Sequence, residues 1–148
     1  MLSSFLIGAT AGARALTPLA TVSDAASRGE LPNARPRWLG HPLVAVATTA
    51  LAAGELWGDK LKSAPDRIVP AGIAARLVTG ALAGAALAPR NRTALGAALG
   101  AAAAVGAAYA SFHLRMAALR RYGQTPTGLV EDALTVAASQ LVVRRGGG

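Results

Sequence analysis

Apolar runs alternate with short polar connections five times along this chain, at about residues 2–22, 39–57, 71–88, 94–112 and 129–143. Crossing the hydrocarbon core of a bilayer takes about 20 helical residues, with a range of roughly 17 to 25. Four runs have that length; the fifth, of about 15 residues, has to be tilted, embedded among the others or lengthened by its flanks. Residues 94–112 are almost entirely Ala and Gly and carry no charge. They have no polar face to give water, so a soluble amphipathic helix does not fit them. Trp38 and Trp57 bracket the second run, where interfacial aromatics belong. The first run contains Arg14 and Pro18 and lacks the basic leader of a cleaved signal, so a retained first span is expected. Residues 89–92 read as a tight turn, and His113, Arg115, Arg120 and Arg121 as a basic extension of the fourth helix that Gly123 and Pro126 stop. The expected fold is all-α: one domain over residues 1–148, an integral membrane bundle of four to five transmembrane segments, with a basic flexible tail at 144–148.

Composition sharpens this picture. Hydrophobic residues make up 53% of the chain, charged residues only 15%, and the mean hydropathy is +0.40. Soluble domains carry about 25% charged residues. With 37 alanines and 17 glycines, the apolar character comes from small side chains, which let transmembrane helices approach backbone to backbone. Gly8 with Gly12, Gly80 with Gly84 and Gly96 with Gly100 form Gly-x-x-x-Gly pairs, expected as seams within the bundle or as contacts of a homo-oligomer. The net charge of +8 would suggest nucleic acid in a soluble protein. Here the basic residues sit in short clusters between apolar runs, so the expected partners are the lipid bilayer and its anionic headgroups, and no nucleic acid. Across five spans the Lys and Arg divide six to seven between the two sides, which fixes no orientation. Absence of cysteine excludes disulfides, thiolate zinc sites and cysteine nucleophiles.

Candidate chemistry lies in charges within or beside apolar runs. An ionisable group in hydrocarbon costs roughly 2.5 to 3.5 kcal/mol on insertion scales, so buried ones pair or line a polar cavity. Of the seven acids, Glu55, Asp59, Asp66, Glu131 and Asp132 are so placed, and Arg14 and Arg76 sit among Ala, Gly, Leu and Val. Glu55 and Asp59 are four apart and share a helix face if the helix runs through Gly58. Two carboxylates that close recruit a cation, for which Lys60, Arg67 and Arg76 are candidates. Glu131 and Asp132 point about 100° apart on a helix, so one should face the bundle interior and the other a neighbouring helix or headgroups. Arg14 is too deep to snorkel and needs an internal partner, with Glu55, Asp59, Glu131 and Asp132 the acids placed to meet it. Thr17 and Pro18 follow one turn later. Proline there frees the Arg14 carbonyl from its helical bond, and an unwound turn beside Arg14 would suit an ion or anion. A pinned bend or a simple kink would explain the same residues. The candidate substrate- or ion-binding set is therefore Arg14, Thr17, Glu55, Asp59, Lys60, Arg67, Arg76, Glu131 and Asp132. His41 and His113 lack metal-ligand spacing, no nucleotide or hydrolase motif is present, and neither metal nor cofactor is expected.

Gly8-Ala-Thr-Ala-Gly-Ala-Arg14-Ala-Leu-Thr17-Pro18-Leu-Ala, Gly54-Glu55-Leu-Trp-Gly58-Asp59-Lys60-Leu, Pro65-Asp-Arg67 and Gly72-Ile-Ala-Ala-Arg76 stand in that order, followed by His113-Leu-Arg115 and Val130-Glu131-Asp132-Ala-Leu. As an ordered set covering nearly the whole chain, these resemble a domain-of-unknown-function family of small bacterial multi-pass membrane proteins. The chain departs from the family's habit at Lys62, where proline tends to follow Asp-Lys-Leu. The resemblance implies a helical protein of the inner membrane and brings no established activity. The leading expectation is a small channel or transporter whose interior is lined by Arg14, Glu55, Asp59, Arg76 and Glu131. A lipid-modifying enzyme using Glu55, Asp59 and Lys60 with a divalent ion, and a non-catalytic scaffold, are the alternatives.

Overall fold

A computed structural model describes residues 1–58, 69–122 and 124–146. Among them are six α-helices and no strand: α1 (Leu2–Ala13), α2 (Leu16–Ser27), α3 (Pro42–Gly58), α4 (Pro70–Ala86), α5 (Thr93–Tyr122) and α6 (Gln124–Gly146). Short 3-10 turns at Arg37–Gly40 and Arg90–Arg92 lead into α3 and α5. Prolines mark the starts: Pro42 opens α3, Pro70 opens α4 and Pro126 lies in the first turn of α6, where a missing N–H costs no helical bond.

The expected first span is not one helix. Arg14 is extended, with φ −138° and ψ 115°, and separates two helices of 12 residues each. The cause is Pro18, which has no N–H for the Arg14 carbonyl and whose ring would collide with it in a continuous helix. At about 1.5 Å per residue each half is only about 18 Å long, too short to cross. The halves fold back on one another. Ile7 of α1 and Val22 of α2 lie in one core cluster, and Met1 and Ser3 share a cavity of about 290 Å³ with residues 31–34, beyond α2. Ala86 to Pro89, Arg145 and Gly146 line that cavity as well. The chain start, the end of α2, the α4–α5 turn and the end of α6 therefore meet at one end of the bundle.

Glycine sets the depth of the hairpin. A Cβ on Gly8 would lie 2.6 Å from Gly100 Cα, and one on Gly12 would lie 2.6 Å from Ala107 Cβ and 2.7 Å from Ala108 N. From the other side, a Cβ on Gly80 would meet Gly100 O at 2.7 Å, and one on Gly84 would meet Gly100 Cα at 2.9 Å. Helix α5 is thus clamped between α1 and α4, backbone against backbone at Gly100. The faces expected as seams or oligomer contacts serve as seams inside the chain. Ala107 and Ala108 are the middle residues of α5, so the hairpin tip stands halfway along the longest helix. At 30 residues α5 is about 45 Å long, matching the roughly 40–45 Å of a bilayer with its headgroup regions.

The fifth run is longer than its apolar stretch implied. Helix α6 has 23 residues and extends through Arg145, and Gly146 packs near Leu87 and Ser3 rather than lying in a loose tail. Residues 90–122 form the one helical stretch among the described residues that is both long and apolar enough to cross a membrane. Helices α1, α3 and α4 are apolar but shorter, at 12 to 17 residues. Beside an apolar core, many large apolar side chains face outward and several polar ones face inward. Leu2, Leu43, Val46, Trp57, Leu114 and Leu134 are each more than 60% exposed, whereas Arg14, Arg76, Thr17, Thr48, Asp132 and Ser139 are buried.

Candidate functional site

The break between α1 and α2 leaves backbone groups without helical partners deep in the bundle: carbonyls at the end of α1 and N–H groups at the start of α2. Three side chains from three other helices converge on it. Glu55, near the end of α3, accepts hydrogen bonds from the N–H of Ala15 at 2.9 Å and of Leu16 at 2.8 Å, one to each carboxylate oxygen. A carboxylate there also meets the positive end of the α2 dipole. Arg76 of α4 donates through Nε to the Gly12 carbonyl at 3.0 Å and through Nη1 to the Gly72 carbonyl at 2.9 Å. A cation thereby caps the negative end of α1. Arg14 itself, 2% exposed, forms an ion pair through Nη2 with Asp132 Oδ1 of α6.

Two arginines and two carboxylates give this centre no net charge, which favours holding Arg14, Arg76 and Asp132 in the interior beside the half-buried Glu55. Of the five residues expected to line the interior, Arg14, Glu55 and Arg76 meet here. Asp132 turns inward, and Glu131, expected to line the interior, instead pairs with Arg115 of α5 at 3.2 Å. That second pair lines a cavity of about 730 Å³ between α5 and α6, which reaches inward to Ala13 and Thr135. Thr17 is buried in the first turn of α2, and its Oγ1 has no hydrogen-bond partner among the described residues. Of the other expected residues, Asp59, Lys60 and Arg67 lie outside the described residues, and with them the Glu55–Asp59 pairing and the carboxylate–lysine cluster of the enzyme reading.

Two contributors were missed. One is backbone: the Gly12 carbonyl and the Ala15 and Leu16 N–H groups, which no side-chain motif announces. The other is Arg115, for which a signal existed. Arg115 and Glu131 stand eight residues on either side of Gly123, so an antiparallel hairpin turning there brings them opposite each other.

The Glu55 contact is a helix cap formed from a distance. Replacing a capping oxygen by alanine costs about 0.5–2 kcal/mol. Glu55→Ala should lower the thermal midpoint of the detergent-solubilised protein, and Glu55→Gln, which retains one acceptor oxygen, should lower it less. Equal midpoints for Glu55→Ala and wild type would show that the cap is not formed.

Compared with known protein families, with curated proteins and with solved structures, the chain matches none.

Proposed function

We propose that the chain is a multi-pass protein of the bacterial inner membrane, a small channel or transporter whose site is the tip of the α1–α2 hairpin. In this reading α3 to α6 cross the bilayer and the hairpin enters and leaves from one side, giving four spans and one re-entrant segment. The resemblance to small bacterial membrane proteins belongs to the same proposal. The apolar outer surface and the length of α5 support the placement.

One observation carries the function: a helix break at half-depth, with the N-terminus of a half-helix and an arginine side by side. Irregular backbone at membrane depth is tolerated where it is buried in protein or lines a cavity. Half-helix N-termini pointing at anionic groups are how transporters of several folds hold substrate. Here Glu55 occupies that position with its own carboxylate. The solute that fits is a small anion, which takes the Ala15 and Leu16 N–H groups when Glu55 withdraws.

Reconstituted into liposomes, the protein should raise the flux of small anions such as chloride, phosphate or acetate above that of empty vesicles. Glu55→Gln, which removes the competing charge, should change that flux several-fold. Flux equal to that of empty vesicles for both proteins overturns the reading. The contacts of Arg14 with Asp132, and of Glu55 and Arg76 with backbone groups, also support a second reading, a non-catalytic scaffold in which the charges only fasten helices.

A further inference from the structure

We propose that the cavity between α5 and α6 is a binding site for an anionic phospholipid, holding one acyl chain along its length with the phosphate at Arg121. The inference rests on the membrane placement proposed above and is separate from transport at the hairpin tip.

The dimensions come first. Along α5 the cavity runs from Ser111 to Tyr122, eleven residues or about 16 Å. The tip of the hairpin marks the middle of α5, so the cavity begins just beyond half-depth and ends at one surface. Half of a hydrocarbon core of about 30 Å is the depth of one leaflet. A volume of about 730 Å³ lies within the roughly 300–1,000 Å³ of sites that take small apolar ligands.

The lining decides the chemistry. Leu114, Ala118, Val130 and Leu134 give a hydrocarbon wall, and Ala13 closes the inner end. The one ion pair in the wall, Arg115 with Glu131, is closed on itself and presents no net charge to a ligand. A polar solute has little to bind along this surface, whereas a hydrocarbon chain covers it. The outer end differs. Tyr122 lines it, and Arg121, next to it on α5 and about 60° around the helix from the lining Ala118, is exposed, with no acidic partner among the described residues. An aromatic with an arginine at a membrane surface fits a phosphate and glycerol group, and an anionic headgroup adds attraction that a zwitterionic one lacks.

Native mass spectrometry of the full chain, released from mild detergent after incubation with phosphatidylglycerol or phosphatidylcholine, tests this. Wild type should bind one phosphatidylglycerol with at least a five-fold preference over phosphatidylcholine. Ala118→Trp, which fills the cavity, should reduce binding of both lipids at least ten-fold. Arg121→Gln, on an exposed surface, should keep lipid binding and lose the preference, and it holds the test if Ala118→Trp fails to fold. Equal binding of the two lipids by wild type overturns the proposal. So does an Ala118→Trp variant that binds lipid normally, or one that loses a dimer rather than a lipid. Recovery of the protein from membranes by alkaline carbonate without detergent would defeat the membrane placement itself, a different result from a detergent-dependent protein that binds no lipid.

Discussion

Gly100→Val should be the most damaging single substitution in the bundle, with a loss at or above the roughly 3 kcal/mol upper end of overpacking costs. A Cβ at Gly100 would be driven into the Gly80 carbonyl and would stand 2.9 Å from Gly84 Cα, while Gly8 of α1 presses on the same turn from the other side. Every one of these neighbours is backbone, so no rotamer change relieves the collision. Helices α1, α4 and α5 would have to separate together. Gly54→Ala and Gly106→Ala are the controls, because a Cβ at either meets nothing within 4 Å. Both should be neutral or should stabilise by up to about 0.5–1 kcal/mol, the difference in helix preference between glycine and alanine. Thermal midpoints and size-exclusion profiles in one detergent measure all three. A Gly100→Val protein that melts with wild type would mean that the three-helix clamp does not exist.

Much of this architecture was legible because helices follow the apolar runs. Four runs of apolar residues became α3, α4, α5 and α6, and Pro42 and Pro70 stand where α3 and α4 begin. The first run misled. Hydropathy averages over a window and continues smoothly from Leu2 to Val22, whereas the outcome was decided by one residue, Pro18, acting on the carbonyl four positions earlier. The sequence suggested a kink at that place, and the fold makes it a reversal. A kink and a hairpin leave the same mark on hydropathy. They differ in which distant helices receive the halves, and small residues decide that: Gly8 and Gly12 fit against Gly100 and Ala104 only with the tip at half-depth.

Part of the candidate site's membership was legible, and less of its pairing. Arg14, Glu55, Arg76 and the Glu131–Asp132 dipeptide stood out because charge inside apolar sequence demands a partner. Which acid meets which arginine depends on rotation about helix axes, and one residue is worth 100°. That is the difference between Asp132, which reaches Arg14, and Glu131, which reaches Arg115. Glu55 was taken for a partner of arginine or of Asp59. It binds backbone N–H groups instead, and these became available only because α2 begins where it does.

The second large effect follows from the Arg14–Asp132 pair, and it separates a transport site from a scaffold. Arg14→Met leaves Asp132 buried without its ion pair, and Asp132→Leu does the same to Arg14. Removing one partner of a buried pair costs about 3–5 kcal/mol, whereas replacing both by apolar residues of similar volume is often neutral or stabilising. Each single variant should therefore melt well below wild type, and Arg14→Met with Asp132→Leu should recover most of the loss. The double-mutant cycle measures this as strong coupling, and strictly additive losses would show that the two residues do not meet. The recovered double variant is the informative protein. It has a stable fold and no charge from Arg14 at the hairpin tip, so a site that holds an anion with that guanidinium should lose flux by at least ten-fold while the midpoint returns. A double variant restored in both stability and flux would leave the charges with fastening alone, and the scaffold reading would replace the transport one.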